Sequence, residues 1–402
     1  MSRLEELVAK LCPDGVGYKS LGEICKITRG RVMSKEYLRD NPGEYPVYSS
    51  QTANNGVFGF IDSFDYDYES ITWTTDGANA GSVFYHNNEK FSITNVCGLI
   101  KVLDKKQVNA RFIYYYLQIT TKNYVNDGMG NPKLMSNVIA SLKIPLPPLP
   151  VQLEIVRILD NFTELTAELT AELTARKKQY EYYRDELFGR DYNEMLKRAE
   201  EKNIQIVAME ELGSFTRGKR FVRDDIREKG VPCIHYGDLY THFGISAEET
   251  KCFLDEDLSK KMRFAQNGDV VIVQAGENDM DIGIGVAWMG NEDVAVHDAC
   301  YIFKHNINPK YISHYLRTSI YHLQIKKYVS IGKICAINAQ GIGKALIPIP
   351  SLDEQARIVA ILDRFDALCN DLTSGIPAEI EARRKQYEYY RDKLLTFKEA
   401  SA

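Results

Sequence analysis

The stretch IPLPPLPVQLEIVRILDNF (residues 144–162) decides the architecture, because it returns as IPIPSLDEQARIVAILDRF at residues 347–365. A second matching pair follows: RKKQYEYYRDELF (176–188) and RRKQYEYYRDKLL (383–395). The copies are offset by 203 residues in the first pair and by 207 in the second, so the second connection is four residues longer. Identity of this density predicts an internally duplicated chain.

The matching segments have the spacing of helices. After the Pro-rich lead-in, apolar residues recur every three or four positions, at Ile155, Ile158, Phe162, Leu165, Leu169 and Leu173. The tandem unit TAEL fills residues 166–173, and no helix breaker occurs before about Phe188, which predicts a helix roughly 50 Å long. A helix of this length needs a partner for its apolar stripe, and the second copy is the expected partner.

The second copy contains a helix-breaking sequence. Gly375, Ile376 and Pro377 interrupt it, so we expect two helical pieces with Pro377 near the start of the second.

The segments between the copies are rich in short β-strand patterns bounded by Gly, Asn and Asp, such as SITWTTDG and DVVIVQAG. One helical pattern recurs in each, ARFIYYYLQITTKNY and PKYISHYLRTSIYHLQIKKY. We therefore predict an α+β fold: two globular domains separated by long α-helices packed as an antiparallel coiled coil, with pseudo-twofold duplication. The expected boundaries are 1–143, 144–190, 191–346 and 347–402.

The composition excludes some classes of protein. A net charge of −5 over 402 residues argues against a protein that binds DNA by bulk charge, but not against one basic face. No apolar run approaches the ~20 residues of a membrane span, and the first residues lack a signal-peptide pattern, so we expect a cytoplasmic protein. The eight cysteines are scattered singly, which favours buried free thiols over a zinc site or a disulfide framework.

Catalytic motifs are missing from the sequence. An Asn/Asp-Pro-Pro-aromatic loop of amino-methyltransferases is not found; the Pro147-Pro148 pair is followed by Leu149. The nearest match to a phosphate loop, GIGVAWMG (283–290), lacks the lysine, and neither HExxH nor GxSxG occurs. We expect no active site, no metal site and no cofactor in this chain.

The order of variable segment, IPLPPLPVQLEIVRILDNF with RKKQYEYYRD, second variable segment, and IPIPSLDEQARIVAILDRF with RRKQYEYYRD closely resembles the specificity (S) subunits of Type I restriction-modification enzymes. The TAEL tandem is most similar to the IC subfamily. The resemblance spans the chain but is specific only in the repeated segments. It implies a non-catalytic subunit whose two target recognition domains each read one half of a bipartite site in double-stranded DNA.

The resemblance also implies partners. Two methyltransferase (M) subunits would dock on the helices and carry S-adenosylmethionine, and restriction (R) subunits would join with ATP and Mg²⁺. Because the two variable segments differ, the DNA site should be asymmetric. In this family the number of TAEL-like units follows the length of the unread spacer; the alternative is that TAEL is a good helix former that was expanded and tolerated.

Candidate DNA-contacting residues are basic, amide, hydroxyl, imidazole and, at one position, carboxylate side chains in or beside the loops that follow strands. The sequence Thr-Arg-Gly occurs in both halves and is followed by further basic residues. The candidates in the first half are Arg29, Arg31, Ser49, Ser50, Gln51, Thr52, Thr74, Thr75, Asn79 and Lys133. Those in the second half are Arg217, Lys219, Arg220, His235, Tyr236, Asp238, Gln274, Asn278 and Lys333.

Four duplicated tyrosines are candidates for partner binding: Tyr180, Tyr183, Tyr387 and Tyr390. Packing between helices is the alternative role. Two rival functions are open for the whole chain. A fused methyltransferase or nuclease would need the missing catalytic motifs, and a helical adaptor without sequence-specific DNA reading would not need two divergent globular domains.

Overall fold

The computed structural model describes residues 3–128 and 130–400, with only the backbone of Tyr240. These residues form two compact units. The first unit comprises the described residues up to Ala167 together with those from Ala382 to 400, and the second comprises Glu168–Glu381. The division falls inside the TAEL tandem, and each unit contains part of both helical segments.

Fifteen helices lie in the described residues. They are α1 Arg3–Leu11, α2 Leu21–Ile24, α3 Lys35–Asp40, α4 Ala110–Thr120, α5 Ser136–Ser141, α6 Leu149–Phe188, α7 Tyr192–Lys202, α8 Met209–Leu212, α9 Asp238–Thr241, α10 Glu256–Ser259, α11 Pro309–Tyr315, α12 Ser319–Ile325, α13 Ala339–Gly343, α14 Leu352–Asn370 and α15 Ile376–Leu394. Short 3₁₀ turns lie at Ala53–Gly56, Thr121–Tyr124, Arg223–Asp225, Asp279–Asp281 and Lys326–Tyr328.

The strands of the first unit are β1 Tyr18–Ser20, β2 Cys25–Arg29, β3 Tyr45–Tyr48, β4 Val57–Ile61, β5 Ser70–Thr74, β6 Val83–His86, β7 Ser92–Ile93, β8 Cys97–Val102 and β9 Lys143–Pro145. They form an antiparallel sheet β2-β8-β5-β6, a mixed sheet β4-β3-β7 and the pair β1-β9. In the mixed sheet β3 runs parallel to β7 and antiparallel to β4.

The strands of the second unit are β10 Gln205–Ala208, β11 Gly213–Arg217, β12 Val231–Ile234, β13 Ser246–Ala247, β14 Cys252–Leu254, β15 Phe264–Ala265, β16 Val270–Val273, β17 Ala275–Gly276, β18 Gly285–Trp288, β19 Val294–Val296, β20 Cys300–His305, β21 Cys335–Ala336 and β22 Leu346–Ile349. The sheets are β11-β20-β16-β18-β13 and β14-β12-β19-β15, with the pairs β10-β22 and β17-β21.

The two units repeat one strand arrangement. The pairing of β2 with β8 and of β8 with β5 corresponds to that of β11 with β20 and of β20 with β16. The parallel pair β3-β7 corresponds to β12-β19, and β1-β9 corresponds to β10-β22. Each unit therefore has the mixed α+β fold that the sequence predicts, although few side chains between the repeats are shared.

Helix α6 ends at Phe188, where the sequence places its end, and the second copy divides into α14 and α15 around Gly375. The buried stripe of α6 differs from the predicted one at one step. Leu165 is 44% exposed, and Thr166 is half-buried instead. Half-buried positions then continue at Leu169 and Leu173, so the stripe follows a spacing of about 3.5 residues, as in a packed helix pair.

Within each unit, a segment of one repeat packs against a segment of the other, which confirms that the copies are partners. In the first unit, the ring of Phe162 lies near those of Tyr387 and Tyr390, with centroids 6.5 and 5.6 Å apart. In the second, Phe365 lies 6.3 Å from Tyr180 and 5.5 Å from Tyr183. The offsets of 203 and 207 residues relate these contacts, so the duplication preserves packing.

A buried glutamine at the start of each long helix fixes the helix to its unit. Gln152 Oε1 accepts a hydrogen bond from the backbone N–H of Asn109 at 2.9 Å, and Gln355 Oε1 accepts one from Asn308 at 3.0 Å. Asn109 and Asn308 in turn cap α4 and α11 with their side chains. The Gln of the repeated Q-x-x-IV motif therefore ties two helix N-termini together.

The repeated Asp of the ILD motif forms a second set of hydrogen bonds between each long helix and the neighbouring helix, α4 or α11. Asp160 accepts hydrogen bonds from Arg111 and Tyr115 on α4. Asp363 accepts them from Lys310 at 3.0 Å and His314 at 2.9 Å. The donors differ between the units, but the carboxylate and its place on the helix are the same.

The segment after α15 completes the first unit. Leu395 is buried in the same core as Ile155 and Leu159. The backbone N–H of Val16 donates to Lys398 O at 2.8 Å, and that of Ala400 donates to Val16 O at 3.1 Å. Residues near both ends of the described chain therefore share one core.

All eight cysteines are free, and seven of them are buried, in agreement with the sequence; Cys252 is half-buried. No group of three or more His, Cys, Asp or Glu side chains in the described residues could hold a metal ion. None of the described helices combines the length and the apolar character needed to cross a membrane.

Candidate nucleic-acid interface

The two Thr-Arg-Gly sequences end equivalent strands, and their glycines are required by the fold. Gly30 follows β2 and Gly218 follows β11. A Cβ atom on Gly30 would lie 2.1 Å from Ile93 O, and one on Gly218 would lie 2.2 Å from His297 O. Any side chain at either position would displace the backbone of the neighbouring strand.

The arginines of these sequences hold equivalent turns. Arg29 donates from Nε and Nη2 to Asn95 O, at 3.1 and 2.7 Å. Arg217 donates from Nε to Asp298 O at 2.7 Å. The predicted DNA-facing arginines are therefore already engaged by backbone carbonyls, and their repetition has a structural explanation. Arg29 is half-buried, whereas Arg217 keeps an exposed side chain.

The basic residues that follow differ in how firmly they are held. Arg31 Nε lies 3.1 Å from the Asp65 carboxylate, and its guanidinium lies over the ring of Tyr37. Lys219 and Arg220 are exposed, and neither forms an ion pair within the described part of the chain. The second unit therefore presents Lys219 and Arg220 as cations without an ion pair to any described residue, in the loop after β11.

Some polar side chains in the loop after β3 already have hydrogen-bond partners within the first unit. Thr94 Oγ1 donates to Ser49 Oγ at 2.9 Å, and the amide of Gln51 donates to Val57 O. Thr52 is exposed, and the other predicted residues of the loop are half-buried: Ser49, Ser50 and Gln51.

Thr74 and Thr75 do not form part of the surface in this conformation, since both side chains are fully buried. Thr74 Oγ1 donates to Asn79 O, and Thr75 Oγ1 donates to the Asp76 carboxylate at 2.5 Å. Both therefore shape the loop after β5, in which Asn79 is half-buried.

In the second unit, the loop after β12 carries His235, Tyr236 and Asp238, all half-buried. The Asp238 carboxylate accepts from the backbone N–H of His235 at 3.0 Å, so it stabilises the loop. Gln274 is half-buried, and Asn278 is exposed, with its Oδ1 accepting from Met280 N at 3.1 Å.

Lys133 and Lys333, both exposed, do not occupy equivalent positions. Lys133 pairs with Asp76 in an isolated bridge, whereas the equivalent pair in the second unit is Ala275 with Ala336. Lys333 lies three residues before Ala336. Both lysines therefore lie in glycine-containing loops, but strand pairing does not place them at equivalent positions.

Four rings cluster beside the second unit's basic loop. His297 lies 4.8 Å from His235, 5.5 Å from Tyr236 and 5.0 Å from Phe221, between centroids. Burial lowers the pKa of both histidines. The equivalent positions in the first unit are Ser49 for His235 and Thr94 for His297, since β3-β7 and β12-β19 share a register.

His297 and Thr94 were missed by the sequence interpretation, although a signal existed. Thr94-Asn-Val-Cys and His297-Asp-Ala-Cys are separated by 203 residues, the offset of the first repeated pair. Aligning Cys97 with Cys300 at that offset would have placed both residues at the same turn.

The duplicated tyrosines pack between helices to different degrees. Tyr180 is buried, with its hydroxyl 3.2 Å from His314 Nδ1. Tyr387 is half-buried, whereas Tyr183 and Tyr390 are 40% and 37% exposed. Of the four, Tyr183 and Tyr390 therefore offer the most surface to a partner in this conformation.

A family model described as the Type I restriction modification DNA specificity domain matches the chain twice, at residues 13–176 and 201–382. The chain belongs to this family. This makes it a specificity subunit, the DNA-recognition and non-catalytic component of a type I system.

The specificity subunit has relatives along its whole length. A provisionally named type I specificity subunit of Mycoplasma pneumoniae is 33% identical over 375 residues, covering 92% of this chain and 95% of that protein. A similarly named subunit of Haemophilus influenzae is 29% identical over 417 residues, covering 95% and 96%.

Solved structures show the same fold. The S subunit of a Type-I restriction-modification system from M. genitalium has a TM-score of 0.56 at 15% identity, covering 95% of this chain and 96% of that one. A chain from a structural study of type I R-M complex assembly has a TM-score of 0.58 at 16% identity, covering 95% and 98%. These likenesses concern the fold alone.

Proposed function

We propose that this specificity subunit reads an asymmetric bipartite DNA site, with one half-site for each unit. The observation that carries the proposal is a shared frame with different side chains at one edge. Gly30 and Gly218 make the same close approach, and Arg29 and Arg217 hold the same turn. Two domains that recognise different DNA sequences need the same backbone arrangement to approach the DNA and different side chains to contact the bases.

The difference is sharpest at one pair of equivalent positions. The first unit has the hydroxyl pair Ser49 and Thr94, and the second has the imidazole pair His235 and His297. A hydroxyl pair and a pair of half-buried imidazole rings differ in size and chemistry, so the two half-sites should differ in sequence.

The assembly proposed around the chain contains two methyltransferase subunits and restriction subunits. S-adenosylmethionine, ATP and Mg²⁺ would bind in those partners, and the complex would act in the cytoplasm. The exposed Tyr183 and Tyr390 are candidates for contacts with the two methyltransferase subunits, because they occupy duplicated positions. The TAEL tandem supports assignment to the IC subfamily.

A helical adaptor that does not read sequence is the alternative. It would need the helices but not the divergent loop surfaces, and exposed cations such as Lys219 and Arg220 favour the DNA reader.

Mapping of methylated adenines tests the proposal. The chain would be co-expressed with its methyltransferase partner in a host that lacks adenine methylation, and the genome would then be sequenced for modified bases. The expected motif has two different half-sites around an unread spacer. A continuous motif, or methylation without sequence preference, would contradict it.

A further inference from the structure

The two units differ at the position of Asp76. In the first unit, the Asp76 carboxylate lies 3.6 Å from Arg29 Nη2 and 3.7 Å from Lys133 Nζ. One acidic side chain after β5 therefore pairs with two basic side chains. The equivalent residues of the second unit are Ala275 and Ala336. Among the described residues, a three-membered network is not repeated at this place in the second unit, where Arg217 Nη2 instead lies 3.6 Å from the Asp298 carboxylate.

A cavity lies at this place in the second unit. Its volume is about 440 Å³, and its lining includes Ala275, Tyr236, His297, Glu277 and Lys333. Lys219, the exposed lysine of the basic loop, bridges to His297 along the backbone. The lining therefore includes one exposed cation, Lys333, and the backbone of a second basic residue, Lys219, pairs with a lining residue; lysines of this kind contact DNA phosphates.

His297 serves as a wall of the cavity and not as a hydrogen-bonding reader. Its Nε2–H donates to Phe221 O at 3.0 Å, and its Nδ1 accepts from the backbone N–H of Ala299 at 3.0 Å. Both ring nitrogens are satisfied, which assigns the neutral Nε2–H tautomer. With Tyr236 it contributes aromatic surface.

Glu277 is the acidic residue of the lining; its carboxylate is exposed and makes no hydrogen bond or ion pair within the described residues. DNA phosphates repel a carboxylate. A carboxylate on a DNA-reading surface therefore needs a hydrogen-bond donor on a base to offset that repulsion. In the major groove, the donors are the exocyclic amino groups of cytosine and adenine. The equivalent residue of the first unit is Ala78, which has no polar group.

We propose that this cavity is a base-reading subsite of the second unit, in which Glu277 accepts a hydrogen bond from the exocyclic amino group of a cytosine or adenine. The first unit lacks the subsite, because the Asp76 network occupies its place. The inference rests on the proposed function and adds the class of base and the residue that selects it.

The test compares methylation motifs of the co-expressed complex for the wild-type chain, Glu277→Ala and Glu277→Gln. We expect the wild-type second half-site to require an amino-bearing base at one position. In Glu277→Ala, discrimination at that position should fall about tenfold or more, the effect of a lost specific base contact, and the first half-site should be unchanged. Glu277→Gln keeps an amide oxygen as acceptor and should retain part of the selectivity.

Lys219→Gln is the matched control in the same unit. It should lower methylation of all sites alike without changing base preference, as loss of a phosphate contact does. Unchanged selectivity in Glu277→Ala, or a change in the first half-site, would overturn the subsite. A wild-type complex without a bipartite motif would instead refute the proposed function, and the subsite with it. Thermal unfolding and co-purification with the methyltransferase partner confirm that each variant is folded and assembled.

Discussion

The ring of Phe162 stacks on that of Tyr390 with centroids 5.6 Å apart and planes inclined by 22°. Phe365 and Tyr183 repeat the contact at 5.5 Å and 26°. Since each pair joins one repeat copy to the other, the stacking links the duplicated sequence to the packing of each unit.

Removing one ring of this contact should destabilise the first unit. Phe162→Ala is expected to lower the free energy of unfolding by about 1–2 kcal/mol, because it loses a stacked pair in a half-buried site. Urea unfolding followed by circular dichroism measures the change. Tyr389→Ala, at a neighbouring residue that is 63% exposed, is the control and should change stability little. Equal effects of the two substitutions would show that the stack contributes nothing.

Substituting the glycine of either Thr-Arg-Gly sequence should be costly. Gly30→Ala brings Cβ within 2.6 Å of three backbone atoms, so we expect a loss of at least about 2 kcal/mol. Gly17→Ala is the control, because nothing lies within 4 Å of its Cβ position. Thermal unfolding of both variants decides the point, and a fully stable Gly30→Ala protein would contradict the close approach.

Acid should destabilise the second unit through His305. Burial lowers the pKa of this imidazole to about 4, against ~6.5 in an unfolded chain. The unfolded state therefore binds more protons between these values, so stability is complete above about pH 6.5 and falls as the pH decreases towards 4. By pH 5 the loss should reach about 2 kcal/mol.

The measurement is the free energy of unfolding at pH 7.5 and pH 5 for the wild type and His305→Asn. The variant should show a smaller difference between the two pH values. Asparagine at the exposed His242 is the control and should keep the wild-type difference. If His305→Asn also kept it, the imidazole would not be the group responsible.

The cations of the second basic loop should act through DNA phosphates. Lys219→Gln with Arg220→Gln is expected to weaken DNA binding by the complex and to reduce the slope of log K against log salt by about 1 for each residue. Fluorescence anisotropy over a salt series measures it. Lys197→Gln is the control, since Lys197 lies on α7 and pairs with Glu201. An unchanged slope in the double variant would place this loop away from DNA.

The length of α6 should control the spacer between the half-sites. Deleting Thr170–Leu173 removes one TAEL unit, which shortens the helix by ~6 Å and turns its far end by about 40° beyond a full turn. We expect the spacer in the methylation motif to shorten by one or two base pairs. Replacing the same four residues by AAEL keeps the length and should keep the spacer. An unchanged spacer in the deletion would favour TAEL as helix former alone.

The helices were predictable because the spacing of apolar residues and the position of helix-breaking residues are local properties of the sequence. The end of α6 at Phe188 and the interruption at Gly375 follow from residues within a few positions. The exchange of Leu165 for Thr166 in the buried stripe did not follow, since a packed pair shifts the spacing from 3.6 towards 3.5 residues.

The surface was less predictable, because polar side chains serve folds as well as ligands. Thr74 and Thr75 have the chemistry of base readers but are buried against their own loop. Arg29 and Arg217 have the charge of phosphate contacts but hold turns. Only strand register reveals that Ala275 stands where Asp76 does, since the surrounding sequences share almost nothing.

The sharing of one core by Ile155 and Leu395 has a consequence for synthesis. When a ribosome has translated the first unit up to Ala167, the residues from Ala382 to 400 that complete it do not yet exist. At ~5–20 residues per second, they follow roughly ten to fifty seconds later. A prematurely terminated chain would thus carry a first unit with an open core, exposed to proteases. The core of the first unit can therefore close only after the residues from Ala382 onward have been synthesised.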